Sequence, residues 1–400
     1  MNRRHLLISA AATAASTALL PSAMAQRQPR SGLPVTQRHP GVYVDQGSNP
    51  ATTTFIPRAL DLAVFVGPLA SDLPTGSLAQ TVPGMPLPPG FDLAAPVVDA
   101  FRAQGGERAL LVHAGDNEDG LPDYDAALDA LDAQTDTAFT LIYLVGATGP
   151  ADAPDLALTS LYQRALLSAR AGFATLIIDA PDESDDYERW RVMLGITDPD
   201  IAAYAPWLVN ARGERLPPGP AVMGRIMATT ASDGVWKAPA GLDAQILYHM
   251  TRPLDPSDLD TFNRAHVNPI RTAPQYGTVL WGARTFSDTS DTIYLPVRRL
   301  QRWIEASLPD SLAWTRGEPN APALWAAVIA EIEVFLTGLY RDGAFMGATP
   351  DQSYFVQCGL GSTMTQTDID AGQVVVQIGV APVRPAEFVI IAYQMSLEDG

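Results

Sequence analysis

Apolar and polar residues follow two different periods along the chain, and these periods predict an ordered succession of strands and helices. Short apolar runs predict strands, whereas apolar residues at helical spacing predict helices. The predicted strands cover residues 60–68, 108–113, 138–145, 174–179 and 204–209, and the predicted helices cover residues 94–103, 124–131, 156–170 and 183–194. Because helix and strand alternate at this pitch, we predict an α/β domain with a largely parallel sheet.

The second half of the chain contains further helices and ends in two strand-like runs. Helices are predicted over residues 221–230, 294–308 and 324–339. Residues 373–378 alternate polar and apolar side chains, as in a strand. Pro382 and Pro385 then fix the backbone and remove two N–H donors, so they cannot lie in an interior strand. The last apolar run, 388–393, suits a strand of the chain's own sheet or, alternatively, a strand that completes another molecule's sheet.

A targeting segment is predicted at residues 1–25. It contains the arginine pair Arg3 and Arg4, followed by an Ala-rich apolar run at residues 6–20. Ala23 and Ala25 then form a small-x-small cleavage pattern. This pattern predicts a cleaved export signal that resembles the twin-arginine type. A transmembrane helix is the weaker alternative, because the apolar run is short and contains Ser and Thr, and no later segment is expected to reach membrane-spanning length.

Charge and cysteine content exclude several classes of protein. The net charge is −18, and Lys237 is the only lysine among 400 residues. Because phosphate contacts need clustered Lys or Arg, this chain is a poor candidate for binding nucleic acid. Cys358 is the only cysteine, which excludes an intrachain disulfide and a thiolate metal cluster. It lies in an apolar run, so we expect a buried, unreactive thiol.

The sequence carries no recognisable catalytic or metal-binding motif. It lacks Gly-x-Ser-x-Gly, His-Glu-x-x-His and the phosphate-binding Gly-x-x-x-x-Gly-Lys, and its five histidines show no ligand spacing. The acidic run 116–120 lacks the residue alternation of a calcium loop, so a solvated surface loop is the better interpretation. A charged cluster of Arg284, Arg298, Arg299 and Glu305 is predicted to serve the fold or an interface. No catalytic, cofactor-binding or metal-binding residue is therefore predicted.

Several segments together resemble the phage tail sheath family, whose members form the contractile sleeve of phage tails and related injection systems. The segments occur in the family's order at residues 40–44, 233–241, 281–285, 294–300, 368–372 and 378–388. They include the sequences Pro-Gly-Val-Tyr-Val, Gly-Val-Trp-Lys-Ala-Pro-Ala and Gly-Val-Ala-Pro-Val-Arg-Pro-Ala-Glu-Phe. The resemblance is patchy in the first half of the chain and nearly continuous from residue 217 to residue 391.

The resemblance implies an α/β core with a mixed sheet flanked by helices, and extended strand arms at both ends. The arms are expected to pair with neighbouring subunits through Gly41, Val42, Tyr43, Val44, Phe388, Val389, Ile390 and Ile391. Structural roles are implied for Gly234, Trp236, Lys237, Pro239, Trp281, Gly282, Arg284, Arg298, Arg299, Gly379, Pro382, Arg384, Pro385 and Glu387. The implied partners are other sheath subunits, a tail tube and a baseplate, and no cofactor is implied.

The motifs also suggest a division of the chain. The predicted segments are an export signal (1–25), a linker (26–38), an N-terminal arm with the first strand (39–68), a variable α/β region (69–215) and a C-terminal sheath domain with its terminal arm (216–400). The export signal conflicts with the family pattern, since family members normally begin near the N-terminal strand.

Three hypotheses follow from this conflict. The chain is a contractile sheath subunit that assembles in the cytoplasm, with an unused signal, or it is exported and builds a non-contractile periplasmic or extracellular assembly. The third hypothesis is a secreted α/β hydrolase or binding protein. Deletion of residues 388–400 distinguishes both sheath hypotheses from the third, because it removes an assembly arm from a sheath but leaves the oligomeric state of a monomeric enzyme unchanged.

Overall fold

A nine-stranded sheet organises the part of the chain that the structure describes. The computed structural model describes residues 55–385, except 136, 150–155, 183 and 185, together with the backbone of residues 6–12. The strands are β1 (Leu6–Ala12), β2 (Leu62–Gly67), β3 (Leu78–Gln80), β4 (Arg108–His113), β5 (Leu141–Leu144), β6 (Thr175–Asp179), β7 (Ile201–Ala205), β8 (Leu208–Val209), β9 (Arg215–Leu216), β10 (Gln245–Ile246), β11 (His249–Met250), β12 (Val267–Ala273), β13 (Gly277–Leu280), β14 (Tyr354–Cys358) and β15 (Val374–Val380).

The helices lie on both faces of this sheet and in a separate C-terminal layer. They are α1 (Ala95–Ala103), α2 (Tyr124–Asp132), α3 (Leu156–Ala171), α4 (Tyr187–Leu194), α5 (Gly219–Asp233), α6 (Pro256–Ala265), α7 (Leu295–Ser311), α8 (Pro322–Arg341), α9 (Pro350–Ser353) and α10 (Gln366–Asp370). Short 3₁₀ turns at Asp92–Ala94 and Ala313–Thr315 precede α1 and follow α7.

The large sheet has the strand order β10-β13-β12-β7-β6-β5-β2-β4-β3. From β4 to β12 in this order, all neighbouring strands pair in parallel, whereas β3, β13 and β10 are antiparallel to their neighbours. The apolar run 174–179, predicted to be a strand, supplies β6 in the middle of the sheet. The predicted α/β class, with a mixed sheet flanked by helices, is confirmed.

Each face of the sheet has its own core, because side chains alternate along a strand. Val64 and Val66 of β2 pack with helices α2, α3, α4 and α6, whereas Ala63 and Phe65 face helices α1 and α5. Phe65 meets Phe101 of α1 edge to face, with 5.4 Å between ring centroids. These strands are buried on both sides, as expected for parallel strands covered by helices.

A third core lies in the C-terminal layer. Helices α7 and α8 bury one side each against the sheet β1-β15-β14, through residues such as Ile304, Ile332 and Ile378. Helix α8 is the one described helix long and apolar enough, by length and composition, to cross a membrane. The expectation that no segment after the signal has this length was therefore wrong, although one face of α8 belongs to the core.

Most predicted elements are confirmed within a few residues, but the strand predicted at 204–209 was misplaced. Strand β7 begins earlier, at Ile201, and ends at Ala205 before the cis peptide bond to Pro206. Since Pro206 has no N–H to donate, it cannot continue the ladder, and β8 joins a separate sheet with β9 and β11 instead. Strands of the large sheet come from both sides of residue 216, and the predicted domain boundary there stays a prediction.

Candidate functional site

Four motif segments from separate parts of the sequence line one groove on the surface. Its volume is about 710 Å³. The motif residues in its wall are Trp236, Lys237, Ala238, Ala240, Gly241, Trp281, Gly282, Ala283, Arg284, Tyr294, Val383, Arg384 and Pro385, and Gly343 and residues of α6 and β12 complete it. The sequence resemblance selected most of these residues, but it did not predict that they would meet in one groove.

The loop after α5 forms one wall of the groove. Helix α5 is capped by Gly234, whose φ of +93° favours glycine. A Cβ atom at this position would lie 2.5 Å from the Trp236 ring, so glycine lets the indole fold back over the turn. The Lys237 N–H donates to the Gly234 carbonyl oxygen at 3.2 Å, and the Gly241 N–H donates to the Leu280 carbonyl oxygen at 2.8 Å. The loop is therefore fixed at both ends while the Lys237 side chain stays exposed.

A buried asparagine fixes the second wall. The Asn268 side chain, 1% exposed, donates to the Ala203 carbonyl oxygen at 3.1 Å and to the Arg284 carbonyl oxygen at 2.8 Å. Its Oδ1 accepts the Arg284 backbone N–H at 2.6 Å. A Cβ atom on Gly282 would lie 2.7 Å from this oxygen, so the segment needs glycine there. Sequence analysis missed Asn268, because its hydrogen-bond partners Ala203 and Arg284 lie 65 and 16 residues away along the chain.

An exposed tryptophan stands at the edge of the groove. Trp281 is 41% exposed, and the Arg271 guanidinium carbon lies 4.6 Å from its ring centroid. The Trp281 N–H donates to the Pro269 carbonyl oxygen at 2.8 Å, which fixes the backbone beneath the ring. An aromatic side chain held open beside a cation has the composition of an interface hot spot.

The groove is locally basic although the whole chain is acidic. Lys237, Arg284 and Arg384 line it against one lining carboxylate, Asp260. The Arg384 guanidinium donates to Asp291 at 3.1 Å in a half-exposed ion pair at the surface. The chain has a net charge of −18, so an acidic segment is repelled by the molecule as a whole. The basic side chains of the groove attract such a segment.

The segment after β15 leads into the groove. The Met346 N–H donates to the Ala381 carbonyl oxygen at 2.7 Å, and the Val383 N–H donates to the Ala344 carbonyl oxygen at 3.0 Å. Pro382, which has no N–H, is buried between these two contacts. The chain thus reaches the groove in a fixed path that ends, for the described residues, at Pro385.

The remaining predicted residues lie elsewhere or outside the described residues. Pro239 is buried in the groove loop, and Gly379 lies in β15, where a Cβ atom would meet the Phe355 ring at 2.1 Å. Outside the described residues lie Arg3, Arg4, Ala23, Ala25, Gly41, Val42, Tyr43, Val44, Glu387, Phe388, Val389, Ile390 and Ile391. Their predicted roles stay predictions.

The structure does not bring the residues of the predicted charged cluster together: Arg298 and Glu305 lie near Asp200, whereas Arg284 and Arg299 lie elsewhere. Arg298 binds Asp200 with two bonds, at 2.6 Å from Nε and 2.9 Å from Nη2, and Arg302 bridges Asp200 at 3.1 Å and Glu305 at 3.2 Å. Arg284 lies in the groove instead, and the Arg299 guanidinium donates hydrogen bonds to the hydroxyls of Thr230 and Thr140. The centre of the cluster is Asp200, at the start of β7, which sequence analysis missed because its partners are about a hundred residues away.

Two side chains that could take part in chemistry, the Asp179 carboxyl and the Cys358 thiol, are buried. Burial raises the pKa of Asp179 to about 7, while its oxygens accept hydrogen bonds from the Tyr143 hydroxyl and, at 2.7 Å, from the Gly219 N–H. Burial likewise raises the pKa of the Cys358 thiol to about 11, which agrees with the predicted unreactive thiol. Asp179 is 3% exposed, so its carboxyl is enclosed by the fold. Among the described residues, no three His, Cys, Asp or Glu side chains form a metal-binding group.

Comparison with known proteins shows what the chain and its C-terminal part are similar to. Residues 287–396 match the family model of the phage tail sheath C-terminal domain. The PVC sheath complex of an extracellular contractile injection system, in its contracted state, is 26% identical with a TM-score of 0.71, over 90% of this chain and 98% of that one. The contracted helical sheath of the anti-feeding prophage is 27% identical with a TM-score of 0.70, over 90% and 100%.

More distant similarity extends to the fold alone. The sheath tail protein of Desulfitobacterium hafniense is 12% identical with a TM-score of 0.54, over 79% of this chain and 93% of that one. No curated protein matches the chain by sequence. The fold is therefore that of a contractile sheath subunit. Its C-terminal part matches the phage tail sheath C-terminal domain, which confirms the resemblance predicted from the motifs.

Proposed function

We propose that this chain is a structural subunit that polymerises with its own copies into a helical sheath that contracts around an inner tube. The observation that carries the proposal is the similarity over 90% of the chain to the sheath subunits of two contractile injection systems. A similar chain also occurs in the anti-feeding prophage baseplate, so tube and baseplate proteins are the expected further partners. The role is structural, and no catalytic activity is proposed.

The groove is the proposed receptor for the C-terminal segment of a neighbouring subunit. Residues 386–400 contain three acidic side chains, Glu387, Glu398 and Asp399, and no Lys, Arg or His. The groove offers the exposed Lys237 beside Arg284 and the ion-paired Arg384, and its Trp281 suits the apolar run 388–393. A contact from the tail of one subunit to the groove of the next is head-to-tail, and such a contact builds a helix when it does not close into a ring.

The outer edge of β15 is the proposed receptor for the other arm. This edge accepts an added strand, since β1 pairs with it antiparallel from Leu6 opposite Val380 to Ala12 opposite Val374. In the assembly, the strand 41–44 of a neighbour would take this place and make the same backbone hydrogen bonds. Contraction is then a switch between two packings of subunits that stay linked by their arms.

The proposal predicts which variants lose assembly. Deletion of residues 386–400 removes the tail, and Lys237→Glu reverses a charge in the groove, so both should sediment as monomers while the unchanged chain forms large species. Arg212→Glu is the matched control, since it makes the same charge change at an exposed residue away from the groove. Sedimentation velocity measures the result. Undiminished assembly of the chain lacking residues 386–400 would overturn the proposed tail contact.

Export before assembly is a second candidate, favoured by the pattern at Arg3, Arg4, Ala23 and Ala25. In that case a folded subunit crosses the membrane and builds a periplasmic or extracellular, non-contractile assembly. Cell fractionation with mass spectrometry tests this, because an exported chain begins at Gln26. A variant with Arg3→Lys and Arg4→Lys should then stay in the cytoplasm with its signal intact. A wild-type chain recovered only in the cytoplasm and starting at Met1 would rule out export.

A further inference from the structure

Arg299 is a buried cation with no carboxylate partner among the described residues. Its side chain is 3% exposed, and its guanidinium donates to the Thr230 hydroxyl at 2.9 Å and to the Thr140 hydroxyl at 3.2 Å. Its Nε is buried without a hydrogen-bond partner. Burial lowers the pKa of Arg299 to about 10, so the group still carries its charge at neutral pH. A buried charge is costly unless an opposite charge lies beside it.

A small pocket adjoins this cation. Its cavity volume is about 10 Å³, enough for one particle of about the size of a water molecule. Its wall combines residues from the start of the large sheet and from α7, and the polar groups in it are Arg58, Thr140 and Arg299. Two cations and a hydroxyl thus face the pocket, and none of the residues that line it is acidic.

The neighbouring charges do not neutralise the pocket. Arg58 and Arg302 both approach the Phe173 ring, with guanidinium carbons 5.6 Å and 5.4 Å from its centroid. Arg302 is already paired with Asp200 and Glu305. Burial lowers the pKa of Arg58, and the carboxylate of Asp310 opposes this only in part. Arg58 and Arg299 therefore leave an excess of positive charge at the pocket.

We propose that this pocket binds one small inorganic anion of the chloride type. The anion would lie between the Arg58 and Arg299 guanidinium groups. Thr140 accepts a bond from Arg299, so its own hydroxyl hydrogen is available to donate to the anion. A single monatomic ion is the largest occupant for which the cavity has room, and a phosphate or a protein side chain is excluded. Ala59 and Leu60 also line the pocket, so the anion would hold the segment that enters β2 against α7.

Thermal unfolding in different salts tests the proposal on the full chain. Sodium gluconate is replaced stepwise by sodium chloride at constant ionic strength, and the unfolding midpoint Tm is recorded. A specific site raises Tm in proportion to the logarithm of the chloride concentration above Kd, by about 2 °C for each tenfold increase, because the ligand binds only the folded state. An equal Tm in gluconate and chloride at every concentration would overturn the proposal.

A pair of variants and a diffraction measurement complete the test. Arg299→Met removes the charge but keeps the length of the side chain, so it should abolish the chloride dependence of Tm. Arg264→Met is the matched control, because it removes an exposed arginine and should leave that dependence unchanged. If Arg299→Met fails to fold, anomalous diffraction from crystals of the unchanged chain soaked in bromide tests whether an anion binds in the pocket. An anomalous peak beside the Arg299 guanidinium supports the site, and a pocket without one overturns it.

Discussion

At the scale of single residues, Gly224 lets two helices touch backbone to backbone. A Cβ atom at this position of α5 would lie 2.1 Å from the Phe101 carbonyl oxygen of α1. Gly224→Ala should therefore lower the free energy of unfolding by about 1–3 kcal/mol through overpacking. Gly338→Ala in α8 is the matched control, since nothing lies within 4 Å and alanine favours a helix by up to about 1 kcal/mol. Urea unfolding measures both, and equal destabilisation would contradict the explanation.

Asp179 makes stability depend on pH. Because burial raises the pKa of its folded-state carboxyl to about 7, the folded chain holds a proton that the unfolded chain releases near pH 4. The contribution of Asp179 is therefore most favourable at low pH and is lost as pH rises toward 7. Asp179→Asn has no such titration, so its stability relative to the unchanged chain should increase between pH 4 and pH 7 and then level off. Urea unfolding across that range checks this, and a constant difference would contradict it.

At the scale of elements, Asp200 joins β7 to two helices. Arg298 and Arg302 of α7 bind it directly, and the Arg170 Nε of α3 lies 3.9 Å from it. Asp200→Asn leaves Arg298 without its carboxylate partner and Arg302 with Glu305 alone, so we expect a loss of about 3–5 kcal/mol in unfolding free energy.

The control for Asp200 is an ion pair at the surface. Glu188 pairs with Arg264, and both side chains are largely exposed, so Glu188→Gln should cost less than about 1 kcal/mol. The same denaturation experiment compares the two variants. A loss of similar size in both would show that the buried cluster adds nothing beyond a surface pair.

Elements with a strong local signal could be predicted from sequence, and those set by distant contacts could not. Strand β4 was predicted to the residue, because its apolar run is bounded by Gly106 and a turn. Strand β7 was misplaced, because its start depends on Asp200 and its end on Pro206. The same holds for the candidate site. Sequence motifs predicted roles for Trp281 and Arg384, but they did not predict Asn268 or the groove, because both depend on packing between segments that are far apart in sequence.

At the scale of the whole molecule, residues 6–12 occupy the sheet edge that the proposed assembly uses. Strand β1 pairs with the β15 edge that the arm of a neighbour would use. Removal of residues 1–25 should therefore speed polymerisation, because it clears this edge. Light scattering of the full chain and of residues 26–400 at equal concentration compares the rates. Faster assembly of the full chain would contradict the competition between the two strands.

Electron microscopy of residues 26–400 at high concentration tests the central claim most directly. The account predicts hollow helical tubes in which each subunit is linked to the next through the β15 edge and the groove between Lys237 and Arg384. Three-dimensional reconstruction would show whether density from a neighbouring chain fills both places. Particles of single-subunit size at every concentration, with the groove and edge empty, would contradict the assignment of this chain as a self-assembling sheath subunit.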